Sequence, residues 1–108
     1  MQRAIDEMGK TLSKIITDLL DLKTTEQIGK VMTTASQDLN GQLTIDFVKL
    51  LELADEDFLN KLKLNNSFNH ANIEKLGDIL FLMAEKSSAY NKVNLYTKCL
   101  TLYEFLEQ

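Results

Sequence analysis

The sequence predicts an all-α protein: two antiparallel long-helix hairpins joined by two short helices. Three observations predict it. Apolar residues recur at helical spacing through nearly the whole chain, and no stretch alternates in the period-two manner of a strand. The 108 residues contain no proline, so no ring interrupts a helix interior. Only four glycines are present, too few to punctuate an architecture of strands and turns. With 44% apolar and 26% charged residues, the chain suits a single globular domain with one core. Its expected units are an N-terminal hairpin over 1–41, two short helices over 43–64, and a C-terminal hairpin over 69–108.

The first helix carries Ile5, Met8, Leu12, Ile15, Leu19 and Leu22 on one stripe, widened by Ala4, Ile16 and Leu20. Thr24 reads as the next N-cap, and Gln27 three residues on completes a capping box. The second helix puts Ile28, Val31, Met32, Ala35 and Leu39 on a narrow face. Lys30, Thr33, Thr34, Ser36 and Gln37 form its solvated side. Asn40-Gly41 ends it, with Gly41 expected in the left-handed conformation. A third, short helix is expected from Thr44 to near Leu53, with Leu43 and Val48 as a hydrophobic staple. Asp55-Glu56-Asp57 opens a fourth helix through about Lys63, with Phe58, Leu59 and Leu62 inward. Residues 64–69 hold three asparagines and a serine and read as a loop. The fifth helix runs from about His70 to Lys86, Ser87-Ser88 breaks the pattern, and the sixth runs from about Ala89 to the end.

Charge narrows the function. Twelve bases face sixteen acids, a net charge of −4. No segment is basic enough to neutralise a phosphate backbone, which argues against nucleic acid as a partner. The acids concentrate between Thr44 and Asp57, where Asp46, Glu52, Asp55, Glu56 and Asp57 face only Lys49. This is a candidate acidic patch. The first residues lack an apolar signal region, which predicts a reducing, cytoplasmic setting. The longest apolar run, Ile79 to Ala84, is too short to span a bilayer, so no membrane association is expected.

The chain matches itself without gaps at an offset of 68 residues. Ile5-x2-Met8-Gly9-x2-Leu12-x2-Ile15 aligns with Ile73-x2-Leu76-Gly77-x2-Leu80-x2-Met83, and Ile28, Val31, Met32 and Ala35 fall on Tyr96, Cys99, Leu100 and Tyr103. The offset is twice the roughly 34-residue tetratricopeptide period. Both motifs resemble the first helix of that repeat, and Val93 to Leu100 resembles its second, with Tyr96 at the aromatic position and Cys99 at the small one. The resemblance implies a tetratricopeptide-like helical bundle or short superhelix. The chain departs from the pattern in three ways. Each hairpin is three residues longer between its helices. No proline closes either hairpin. The segment 43–64 lacks the motif. A glycine within a helix costs about 1 kcal/mol against alanine. Gly9 and Gly77 are therefore expected where a neighbouring helix approaches closely.

A second resemblance rests on Leu39 to Phe47, Ala54 to Leu59 and Tyr96 to Tyr103. These stretches are similar in pattern to a family of small, uncharacterised bacterial helical proteins with a tetratricopeptide-like C-terminal hairpin. That family implies the fold and no activity.

Residues able to do chemistry are few. His70 and Glu74 share a helical face as two potential metal ligands, but no further ligand is visible and a polar first turn explains them. Cys99, the only cysteine, has no second histidine to serve it and falls in an apolar arc where a small buried residue suits packing. Asp55, Glu56 and Asp57 point in different directions on a helix and lack the alternating ligands of a calcium loop. Phosphate-binding glycine loops, serine elbows and Glu-x-x-His pairs are absent. No enzyme, cofactor or metal site is predicted.

Helices five and six are apolar over more of their circumference than one packing neighbour needs. Phe81, Leu82, Leu95, Leu102 and Phe105 therefore form a candidate association surface, for a homodimer or for a protein or peptide partner. The expected function is a non-enzymatic interaction or self-association module. The alternative is a small-molecule or lipid carrier with its pocket between the hairpins.

Overall fold

Apolar side chains at helical spacing carry the chain into six helices in the computed structural model, which describes residues 2–21, 28–41, 43, 46–86 and 89–108. They are α1 (Gln2–Leu20), α2 (Ile28–Asn40), α3 (Phe47–Glu52), α4 (Asp55–Lys63), α5 (His70–Lys86) and α6 (Ala89–Leu106). No strand occurs among the described residues. The protein is all-α, as its periodicity predicts.

α5 lies at the centre. α6 packs along one side of it and α1 along another. α4 and α3 lean on the far side of α6, and α2 packs on α1 with its end near α3. The predicted stripe of α1 turns inward: Met8, Leu12, Ile15 and Leu19 are buried. They meet Ala35 and Leu39 of α2, Phe47 and Leu50 of α3, Phe58 and Leu62 of α4, and the apolar face of α5 in one continuous core. Burying each of the leucine, isoleucine, methionine and phenylalanine side chains contributes about 1.5–3 kcal/mol. Ala4 and Leu20, at the margins of the α1 stripe, are exposed.

Side-chain amides set the ends of two helices. Asn69 Oδ1 accepts the Asn72 N–H at 2.9 Å and caps α5. Buried Asn72 then donates its Nδ2 to Ile5 O of α1 at 3.0 Å and to Ser67 O at 2.8 Å. The asparagine-rich segment 64–69 is thus a tied turn, and it also delivers Phe68 to the core. At α3, Asn40 Oδ1 accepts the Phe47 N–H at 2.8 Å. This cap reaches back seven residues, so α3 begins at Phe47 and not at Thr44.

Two further local expectations are corrected. Gly41 has no positive φ; Leu43 N–H bonds to Leu39 O at 2.9 Å, so the chain continues its right-handed turn through the glycine. Val48 is exposed and forms no staple with the half-buried Leu43, because α3 starts later and turns that residue outward. The Thr24–Gln27 capping box, Leu22, Thr44 itself, the Ile28 side chain and the Ser87-Ser88 break lie outside the described residues.

Both glycines of the internal repeat meet a neighbouring helix. A Cβ at Gly77 would stand 2.9 Å from the Tyr103 ring of α6, and one at Gly9 would stand 3.1 Å from Asn72 Oδ1 of α5. Ile5 and Gly9 of α1 lie against Asn72 and Lys75 of α5, so the two helices run side by side with their N-terminal ends together.

Candidate interaction surface

α6 has three sides, and its neighbours take two. Towards α5 it presents Cys99, whose Sγ donates to Gly77 O at 3.3 Å, and Tyr103. Towards α3 and α4 it presents Leu95, Lys98 and Leu102, all buried. Lys98 is 3% exposed. Its Nζ donates to Asp55 Oδ1 at 2.7 Å and to Asn94 Oδ1 at 3.2 Å, and stands 5.8 Å from the Phe58 ring centroid. Asn94 Nδ2 in turn donates to Leu51 O of α3 at 3.0 Å. These contacts lock the rotation of α6 and turn its third side outward.

That third side carries exposed apolar residues beside the exposed Thr97 and Glu104. Val93 is 70% exposed and Leu100 58%, one heptad apart on the same face, with half-buried Tyr96 between them. Across the hairpin, Phe81 of α5 is 42% exposed and packs on Tyr96 at 5.9 Å between ring centroids. The four form one ridge on the outer face of the α5–α6 hairpin.

Two tyrosine–carboxylate bonds frame the ridge. Tyr96 OH donates to Glu85 Oε1 at 2.7 Å, and Tyr103 OH donates to Asp78 Oδ1 at 2.6 Å. The acids are seven residues apart on α5 and the tyrosines seven apart on α6, so both bonds follow one antiparallel register. That register sets Phe81 level with Leu100. The bond to Glu85, then burial, raises the Tyr96 pKa above its ordinary value. Burial, then the bond to Asp78, raises that of Tyr103. Both hydroxyls stay protonated and act as donors.

The structure redistributes the residues predicted for association. Phe81 is exposed as expected. Leu82 is half-buried against the core. Phe105 is half-buried, with its ring edge-on to His70 at 5.5 Å and Lys63 Nζ 5.5 Å from its centroid. Leu95 and Leu102 are core residues, 3% and 0% exposed, because α3 and α4 cover that side of α6. Val93 and Leu100 take their place on the surface. Their signal was in the sequence as a heptad pair, but the apolar arc of α6 is broad and gave no reason to prefer that edge of it.

The acidic patch is not one cluster of free carboxylates. Asp55 pairs with Lys98, while Asp46, Glu52, Glu56 and Asp57 are exposed along α3 and the first turn of α4. Val48, Met32, Leu51 and Leu95 line a cleft of about 280 Å³ between α2, α3 and α6, with Glu52 and Asn94 at its edge. Between α1 and α5, where a carrier pocket would lie, an open hollow of about 560 Å³ is lined largely by polar residues, among them Asp6, Lys10, Asn69 and Lys75. No helix among the described residues is long and apolar enough to cross a membrane.

The candidate chemical groups are placed apart. His70 and Glu74 are exposed near the start of α5, and the described residues contain no group of three potential metal ligands. Cys99 is buried, and burial raises its pKa, which keeps the thiol protonated and a poor nucleophile. No protein family, curated protein or solved structure matches the chain.

Proposed function

We propose that this protein is a non-enzymatic protein-interaction module whose contact face is the outer side of the α5–α6 hairpin. One observation carries the reading: the exposed apolar residues Phe81, Val93 and Leu100 join Tyr96 in one ridge on a hairpin whose own packing is complete. Scattered exposed apolar residues need no explanation, whereas a contiguous set on two helices does. The side-by-side packing of α1 and α5, with Gly9 and Gly77 both at close approaches, supports a tetratricopeptide-like stacking of the hairpins.

Affinity capture with the wild-type chain and with a Val93→Ser/Leu100→Ser variant tests the face, with sedimentation equilibrium of both. Proteins retained by the wild type and lost by the folded variant, or a wild-type dimer that the variant dissolves, support it. Identical captured sets together with monomers throughout refute it.

The carrier reading draws on the apolar cleft between α2, α3 and α6. At about 280 Å³ it is at or below the usual span of ligand pockets, roughly 300–1,000 Å³. Native mass spectrometry of the purified protein tests it: a co-purified ligand mass supports a carrier, and a clean protein mass weakens it.

A further inference from the structure

We infer that the ridge docks a basic amphipathic helix of another protein, one that presents an apolar stripe flanked by Arg or Lys one heptad apart. The inference rests on the interaction reading above and names the partner's chemistry. Acidic side chains surround the unpartnered apolar face and give it a charge complementary to a basic partner. Glu74, Asp78 and Glu85 lie at i, i+4 and i+11 on the outward side of α5 around Phe81, and Glu104 follows Leu100 by one turn on α6. The bases next to these acids in sequence, Lys75 and Lys86 of α5, are half-buried, as is Lys92 of α6.

Asp78 and Glu85 are already oriented. Each accepts a tyrosine hydroxyl on one carboxylate oxygen, at 2.6 and 2.7 Å, which leaves acceptor capacity on each carboxylate for a cation. Their heptad separation spans about 10 Å along α5, the distance between residues i and i+7 of a docked helix. Phe81 and Leu100 lie between them, where the partner's apolar stripe would seat. The partner helix would lay its apolar stripe along the ridge, the stripe giving affinity and the acids giving orientation.

The same charges disfavour the other occupants. A second copy meeting this face isologously would set acids against acids. An anionic membrane surface would be repelled.

The test uses the full chain and two labelled synthetic amphipathic helices with the same Leu-rich stripe, one carrying Arg and the other Glu at the flanking heptad positions. Fluorescence anisotropy reads affinity, and amide chemical shifts locate the site. The Arg helix is expected to bind and to perturb amides around Phe81, Tyr96 and Leu100. The Glu helix is expected not to bind. Glu85→Gln/Glu104→Gln, which keeps an acceptor for Tyr96, should weaken the Arg helix about tenfold, and added salt should do the same to the wild type. Equal binding of both helices overturns the basic partner and leaves the interaction reading standing. So does an Arg helix that maps instead to α3 and α4. Absence of binding with a dimer broken by Leu100→Ser assigns the face to a second copy and overturns this inference alone. Absence of both binding and dimer overturns this inference and weakens the interaction reading with it.

Discussion

Gly77→Ala is expected to destabilise the protein, although alanine is the better helix former. In an exposed helix interior the replacement stabilises by about 1 kcal/mol. At Gly77 the new Cβ would stand 2.9 Å from Cε1 of Tyr103, with Cδ1 at 3.3 Å and Cζ at 3.4 Å. Carbon atoms sit comfortably at about 3.5–4.0 Å, so the ring must retreat by about half an ångström. It is a rigid plate whose hydroxyl is bonded to Asp78 at 2.6 Å, so it cannot retreat without straining that bond. Overpacking of this kind costs about 1–3 kcal/mol. The net loss is then about 0–2 kcal/mol, once the helix-propensity gain is subtracted. Tyr103→Ala removes the ring, and in that background Gly77→Ala should instead stabilise by about 1 kcal/mol. Urea unfolding of the four proteins, followed by circular dichroism, measures the cycle. The reasoning fails if Gly77→Ala stabilises equally with and without the Tyr103 ring. Gly29→Ala serves as the control: among the described residues, nothing beyond its chain neighbours and its own helix backbone lies within 4 Å of its added Cβ, and no destabilisation is expected.

Three further outcomes follow from the packing of α6 and its tyrosines. Lys98→Met should change stability by less than about 1 kcal/mol, because exposed solvent can hydrate the abandoned Asp55, whereas Asp55→Ala strands a buried ammonium and should cost about 2–3 kcal/mol. Equal losses in urea unfolding would show that the pair is not asymmetric in burial. Leu102→Ser should cost upwards of about 3 kcal/mol and Leu100→Ser less than about 1 kcal/mol, and thermal unfolding of the two separates a core position from a surface one. Alkaline pH should destabilise the protein. The folded Tyr103 pKa is raised above 10.0, so the folded state holds its proton longer than the unfolded chain. That contribution is intact below about pH 10 and is lost as pH rises beyond it. Tyr103→Phe should flatten the decline, and a slope of melting temperature against pH that the substitution leaves unchanged would remove Tyr103 as its source.

Much of the fold was legible because most helices are strongly patterned. The inward stripe of α1, the bounds of α4 and α5, and the close-approach glycines all follow from spacing and residue type. The start of α3 did not, because its cap comes from Asn40, seven residues upstream and across an apparent helix stop. Phe68 was hidden for a similar reason. Its asparagine-rich surroundings read as solvated loop, yet Asn65, Asn69 and Asn72 direct their side chains at backbone groups and tie the turn to the core.

The association surface shows a different limit. α6 is apolar over more of its circumference than one neighbour needs, so its sequence does not state its rotation. The rotation is decided by Lys98, a residue that hydropathy places in water. Its charge is buried because Asp55 opens α4, Asn94 stands one turn before it and Phe58 offers a ring face. Asp55 and Phe58 reach it across elements, with no sequence spacing that links them to Lys98; only Asn94, one turn back on α6, has one. Once Lys98 faces α4, the heptad geometry of α6 leaves no freedom: Leu95 and Leu102 go inward with it, and Val93 and Leu100 come out. The exposed ridge is therefore a consequence of a buried lysine. A protein that needed only a stable hairpin could have placed polar residues at Val93, Phe81 and Leu100, since none of them closes the core. Their apolar character on a face already fixed by the Lys98 contacts is the observation that points to a partner.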